Sequence, residues 1–400
     1  MHSIYRYILC TIFTSLVFCQ TLDIETLERL VVDGNPHLAA GLQLIEAQSG
    51  KLEQSRKYSN PEFEFESGSG FDPEISAMLS QSIPLGGKRK QEIVLRNLQL
   101  KQARLEYDIL KQEKLEEAYA IFMGILHLQK LQIFQNDRVL VSKDLLNAVS
   151  RKVEAGKLSP AEKSRARIQL YQEKLTLRDI ETSLKSGWRL LASFWGDEHS
   201  SFTEVEGNLT EIPSIPTLKF LDTAPTIRLS KLVVEIQQAN IKLEKANGVP
   251  DIELGGGVGV KQGDFPGNTY QFGLSIPLPI FNRNQGNIGS AKSELKKARF
   301  ELKEVEIQVQ TILFRLKTEL EVLASEIDIL KNDIIPEAQA AYTTISEGYL
   351  NGRFTYLDVV DAQRMWFESR EQYIGALKDY HINILELDRI MGNTYGKETH

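Results

Sequence analysis

The chain has 400 residues, of which 25% are charged and 42% hydrophobic, and its net charge is −7. That length holds two domains or one large one, and the balance is not that of a disordered chain. Acidic residues (54) outnumber basic ones (47), with no Lys/Arg run interleaved with aromatics, so nucleic acid is excluded as a partner.

Residues 1–19 read as a signal peptide. Arg6 precedes an apolar run from Ile8 to Phe18, too short to span a membrane and suited to a secretory core. Cleavage after Cys19 leaves Gln20 first. The segment "LVFC" also resembles a lipobox that would lipidate Cys19, although Phe18 stands where a small residue is expected. In both cases Cys10 is lost, at most one cysteine remains, and a disulfide framework is excluded. No later stretch has the ~18–20 apolar residues of a membrane helix, so membrane contact falls to a β-barrel or a surface.

The mature chain is duplicated. "NPHLAAGLQLIEAQ" from Asn35 aligns with "APTIRLSKLVVEIQ" from Ala224 at an offset of 189, which Pro61 and Pro250 keep. "SIPLGGKRKQEIVL" from Ser82 and "SIPLPIFNRNQGNI" from Ser275 are 193 apart. "AGKLSPAEKSRARIQ" from Ala155 and "NGRFTYLDVVDAQRM" from Asn351 are 196 apart, as are Trp195-Gly196 and Met391-Gly392. Order and spacing held over five landmarks mark two repeats, 20–205 and 223–392, joined by a linker at 206–222 and followed by a tail at 393–400.

Each repeat predicts helix, strand, strand, long helix, tight turn and helix. The strands fall at about 61–84 and 250–278. "PEFEFES" sets Phe63 and Phe65 against Glu62, Glu64 and Glu66; "PDIELGGGVGVK" sets Ile252, Leu254, Val258 and Val260 against Asp251, Glu253 and glycines. "TYQFGLSIP" puts Tyr270, Phe272, Leu274 and Ile276 on one face, and "EISAMLSQS" repeats the pattern more weakly. Such strands fit a small soluble sheet under helices or a membrane barrel. Four strands cannot close a barrel, which needs about eight, and an open edge cannot sit in lipid. A membrane reading therefore requires several copies.

Between Gly87 and Gly156 there is no proline and the only glycine is Gly124. That predicts a helix of about 65 residues, roughly 95 Å long. In the second repeat no glycine occurs from Ser290 to Glu347, and Pro336 predicts a kink. Ile288, Leu295, Leu302, Val309, Leu316, Leu323 and Leu330 fall one heptad apart, with Ala291, Ala298, Val305 and Ile312 between them, as in a coiled-coil seam. The helices reverse at turns 153–160 and 349–356, where Gly156 and Gly352 allow a left-handed cap and Ser159 and Thr355 can cap the next helix. Asp358 and Asp361 share a helix face, and from the residues alone they are a solvated acidic first turn.

No chemistry-bearing constellation accompanies these elements. The six histidines form no HxxxH and pair with no cysteine, "GGGVG" at Gly255 lacks the lysine of a nucleotide loop, and no nucleophile–base grouping is present. Neither an enzyme nor a cofactor is expected.

In element order, and at "YLNGRFTYLDVVDAQ" (Tyr349–Gln363), "IPLPIFNRNQGNI" and "PLGGKR", the chain resembles the TolC family of outer-membrane efflux ducts, most like its heavy-metal (CzcC/CusC-type) branch. The resemblance implies a mainly α fold with membrane β. A homotrimer would close a barrel of about twelve strands in outer-membrane lipid, continued by a helical barrel in the periplasm. It implies a periplasmic gate at Tyr349, Arg353, Asp358 and Asp361. An adaptor (membrane fusion) protein would dock at tip residues Gly156, Lys157, Leu158 and Ser159 and at Gly352, Phe354 and Thr355. An inner-membrane pump of the resistance-nodulation-division or a related type would drive export. Glu62, Glu64, Asp251 and Glu253 would line the barrel. Heavy-metal cations are the implied cargo, with small organic molecules as the alternative. A coiled-coil envelope spacer without a pore is the competing architecture.

Overall fold

The computed structural model describes residues 20–69, 74–215, 224–262 and 266–393. The expected signal peptide, most of the expected tail and residues 216–223 of the expected linker lie outside them. In chain order the elements are β1 (Gln20–Leu22), α1 (Ile24–Gly34), α2 (Pro36–Ser55), β2 (Glu62–Ser67), β3 (Glu74–Ile83), α3 (Lys88–Glu154) and α4 (Pro160–Ala192). Then come β4 (Phe202–Val205), α5 (Pro225–Asn247), β5 (Ile252–Lys261), β6 (Gly267–Ser275), α6 (Gln285–Ile329), α7 (Ile335–Leu350) and α8 (Tyr356–Met391).

Hydrogen bonding repeats with the sequence. At the end of α3, Gly156 N–H donates to the Val153 carbonyl (3.0 Å) and Lys157 N–H to the Lys152 carbonyl (2.8 Å), with Gly156 at φ 69°. At the end of α7, Gly352 N–H donates to Tyr349 (3.1 Å) and Arg353 N–H to Gly348 (2.8 Å), with Gly352 at φ 78°. These are paired Schellman caps, which satisfy the last carbonyls of a helix and turn the chain. A second pair closes the repeats: Gly196 (φ 85°) and Gly392 (φ 78°) donate their N–H to Ser193 and Arg389, and the following Asp197 and Asn393 donate theirs to Ala192 and Asp388. Both pairs keep the 196-residue offset read in the sequence.

Two compact units cut across the repeats, because α3 and α8 each contribute to both. One unit gathers β1, α1, residues 118–211 and 330–378. There β1 pairs in parallel with β4, and Leu22 is fully buried. Its tip core packs Val149, Ala166, Tyr349, Tyr356 and Val359 against Leu145, Val153 and Leu158. Where Pro336 predicts a kink, a π-helical segment, Leu330–Ile334, ends two residues before the proline. A proline lacks the N–H for the i−4 carbonyl and crowds it, and a widened turn relieves both.

The other unit gathers residues 34–117, 212–329 and 379 onward. Leu95 and Leu98 of α3 pack on Leu232, Ile236, Ala239 and Leu243 of α5. Its sheet has the order β2-β3-β5-β6, antiparallel throughout. Strand becomes helix by two different devices. In the first repeat Gly86 and Gly87 have φ of 68° and 73°, and a Cβ on Gly86 would sit 2.7 Å from Val249 Cβ. In the second, Asn284 adopts φ 61° and donates its Nδ2 to the Glu244 carboxylate (2.6 Å) and carbonyl (2.8 Å). Asparagine tolerates the left-handed region better than other side chains.

α3 has 67 residues, close to the expected 65, and spans about 100 Å at 1.5 Å per residue. In α6 the seam follows the heptads only to Val309. Leu313, Leu320 and Ile327 are then buried, whereas Ile312 and Leu323 are half-buried. The steps Val305–Val309–Leu313 are both of four residues, a stutter that locally unwinds the coil.

Candidate functional site

The sheet sorts most of its side chains by polarity. Register places Phe63 opposite Leu79, Ala77 opposite Phe65 and Val258, Leu254 opposite Leu274, and Gly256 opposite Phe272. Side chains alternate across a strand, so these, with Ile75, Ile83, Ile252, Val260 and Tyr270, share one face. That face is bare: Phe272 is 91% exposed, and Phe63, Phe65, Tyr270 and Leu274 are also exposed. Among the described residues no helix covers it, unlike a sheet packed under helices.

The opposite face carries Glu62, Glu64, Glu66, Glu74 and Glu253 with Ser76, Met78, Ser80, Gln271 and Thr269, against one cation, Lys261, among its described residues. Gly255, Gly257, Gly259 and Gly273 keep it low. A Cβ on Gly257 would approach the Ala77 carbonyl to 2.7 Å, and one on Gly255 would meet Met78 at 2.5 Å. Of the expected barrel-lining carboxylates, Glu62, Glu64 and Glu253 lie on this face, Glu253 accepting from Ser80 Oγ at 3.1 Å. Asp251 is placed differently. It precedes β5, accepts from Leu85 N–H (3.0 Å) and pairs with Lys88 Nζ (2.7 Å), so its charge is spent on the strand-to-helix turn.

At the tip, Thr355 and Asp358 form a reciprocal capping box. Asp358 Oδ2 accepts from Thr355 N–H and Oγ1, both at 2.8 Å, and Thr355 Oγ1 accepts from Asp358 N–H at 3.3 Å. The backbone bond, then the hydroxyl bond, hold the Asp358 carboxyl below its ordinary range. Asp361 pairs with Arg364 at 2.6 Å. Both aspartates line a groove between α7 and α8 together with Ala338, Ala341, Ile345, Ala362 and Met365. On the first repeat Ser159 Oγ caps Ala161 N–H at 3.2 Å.

The other residues expected at the gate and at the docking tips separate. Arg353, Lys157, Gly156 and Gly352 are exposed at the turns, and Phe354 is 38% exposed, its ring lying where a Cβ on Gly348 would be. Leu158 packs on the tip core. Tyr349 is 3% exposed inside that core, and its hydroxyl is buried without a hydrogen-bond partner. Burial, then the Glu162 carboxylate, push its phenol above the ordinary value. The residue that engages it was not found in the sequence. Lys152 Nζ donates to the Tyr349 carbonyl and lies 3.8 Å from the centre of its ring. Burial, then Lys157, lower the Lys152 pKa.

Comparison with known proteins agrees with the fold. Residues 219–393 match the family described as Outer membrane efflux protein. Over 380 residues the chain is 29% identical to the cobalt-zinc-cadmium resistance protein CzcC of Cupriavidus metallidurans, covering 93% of this chain and 90% of that one. Crystal structures of CusC superpose with a TM-score of 0.82 at 14% identity, over 93% of this chain and 92% of theirs. VceC of Vibrio cholerae superposes at 0.78 and 15% identity, over 93% and 96%. Over most of its length the chain is thus similar in sequence to CzcC and in fold to CusC and VceC, and the segment that holds its second repeat matches the outer-membrane efflux family.

Proposed function

We propose that the protein is the outer-membrane exit duct of a tripartite efflux system. Three copies close one barrel of about twelve strands, because β2 and β6 each leave an edge that lipid would not tolerate unpaired. The observation that carries this reading is the two-faced sheet, with its bare apolar side and unpaired edges. Phe300, Ile307 and Phe314, exposed at heptad spacing on α6, supply an apolar stripe for a neighbouring copy. The repeats 20–205 and 223–392, joined through 206–222, then act as two halves of each protomer's share of the wall.

A periplasmic adaptor docks on the tip turns, and an inner-membrane pump of the resistance-nodulation-division type supplies the energy. The duct itself conducts passively. Asp358 and Asp361, repeated around the threefold axis, form the constriction, with Arg353 at its edge. Heavy-metal cations are the cargo. The name of the similar cobalt-zinc-cadmium protein and the acidic face of the sheet both support that choice. Deleting the gene and measuring retained zinc, cobalt and cadmium beside a hydrophobic dye tests it. Metals should accumulate and the dye should not. The reverse pattern would assign organic cargo, and unchanged levels of both would overturn the duct.

A further inference from the structure

A helix N-terminus carries partial positive charge and favours acidic residues in its first turn. The helices that leave the tips obey this, α4 with Glu162 and α8 with Asp358. The two helices that leave the sheet do not: neither α3 nor α6 has an acid in its first turn. α3 starts instead with Lys88, Arg89 and Lys90, and Arg283 stands just before α6. In a chain of net charge −7 this is a local reversal, and it recurs in both repeats.

Lys88 is neutralised by Asp251. Its neighbours are not. The Arg89 guanidinium lies 4.0 Å from the centre of the Tyr58 ring and donates to the Arg56 carbonyl at 2.6 Å, which gathers Arg56, Lys57 and Arg89 around an exposed tyrosine. Arg56 and Lys57 share one carboxylate, Glu53, at 3.4 and 3.1 Å, and Lys90 is exposed. In the second repeat the apolar alternation of Leu274 and Ile276 continues past the strand into Leu278 and Ile280, both exposed, and then Phe281, 90% exposed. Arg283 Nε donates to the Pro279 carbonyl at 3.2 Å, which holds the guanidinium beside that apolar loop. An aromatic or aliphatic anchor with cations beside it, directly continuous with a lipid-facing sheet, is the chemistry of a headgroup boundary.

We infer that this collar of Arg56, Lys57, Lys90 and Arg283, with Tyr58 and Phe281 as anchors, binds anionic phospholipid headgroups of the periplasmic leaflet. It rests on the reading of β2, β3, β5 and β6 as the membrane-crossing sheet. The leaflet follows from topology, since the collar lies where strands give way to the periplasmic helices. The charge that the helix dipole disfavours is balanced from outside the chain.

The test places the full-length protein in nanodiscs of phosphatidylcholine mixed with phosphatidylglycerol and counts retained lipid by native mass spectrometry. Wild type should retain phosphatidylglycerol over phosphatidylcholine by about tenfold, less at high salt. Replacing Arg56, Lys57, Lys90 and Arg283 by Gln should bring the two to parity, whereas Arg56→Lys with Arg283→Lys should keep the preference. A heat-sensitive oligomer band on gels verifies assembly of each variant. Parity in wild type, or undiminished preference in the Gln variant, would overturn the collar. Displacement of the lipid by inorganic phosphate would do so too, by assigning a small-anion site. Failure to enter nanodiscs of any composition would instead count against the membrane-crossing sheet.

Discussion

Lys152 and Tyr349 lie 197 residues apart and join the two tip turns, the lysine ammonium bonding the tyrosine's main-chain carbonyl while resting over its ring. Because the carbonyl belongs to the last turn of α7, the contact holds the end of one repeat's long helix to the end of the other's. Lys152→Met keeps the stem and removes the charge. The loss should amount to about 1–2 kcal/mol, from a charged hydrogen bond and a cation–π contact. The duct in a planar bilayer should then show a raised resting conductance with unchanged trimer yield. A variant as tightly closed as wild type would make Lys152 a packing residue only.

The faces of β6 differ by one residue step, so adjacent substitutions separate them. Phe272→Arg puts charge on the lipid side and should cost about 2–4 kcal/mol if it lies near the midplane. Gln271→Arg lands on the glycine-lined polar side and should be mild. The amount of heat-modifiable oligomer in outer-membrane fractions reads both, and equal effects at the two positions would invalidate the strand assignment.

Gly352 and Gly156 hold the left-handed turn of matching Schellman caps, at φ 78° and 69°. No neighbouring atom lies near the Cβ that either could carry, so the constraint is backbone alone. Val at either site should cost about 1–2 kcal/mol locally. Barrel assembly should persist, while crosslinking to the adaptor and metal efflux should fall. Retained crosslinking in both variants would move the docking surface away from the turns.

What the sequence could show of this molecule follows the range of each signal. Strand alternation, missing glycines and the repeat offset are local patterns, and they are realised in β2, β3, β5, β6, α3 and the paired caps. The stutter in α6 was hidden because Leu316 and Leu330 serve both registers, and burial of Leu313, Leu320 and Ile327 separates them. Asn284 gave no signal, since an asparagine in a polar turn does not announce a left-handed backbone. The three-residue β1 has no periodicity to read, and its partner β4 is about 180 residues away. Lys152 could not be found by spacing at all, because its partner lies on the other repeat.

The remaining prediction concerns charge at the constriction, where two effects oppose each other. Within one protomer the capping bonds from Thr355 depress the Asp358 pKa. A depressed carboxyl stabilises the cap above its ordinary pKa, and that contribution is lost as pH falls through the depressed value. In the proposed trimer, like charges brought around an axis repel one another and favour a cation as counter-ion. Asp358 is the more constrained of the pair, held by the Thr355 backbone and hydroxyl, whereas Asp361 pairs with the exposed, neighbouring Arg364 and is the freer to bind. Single substitutions should therefore differ. Asp361→Asn should weaken block by multivalent cations applied from the periplasmic side while leaving the tip protected from protease. Asp358→Asn should weaken block and also loosen the start of α8, because the amide bonds the Thr355 donors less strongly than a carboxylate. The double variant should lose block by orders of magnitude with trimer yield unchanged. Some cation preference should persist from Glu62, Glu64 and Glu253 on the polar face of the sheet. Wild-type block in the double variant would reduce both aspartates to helix-start charges.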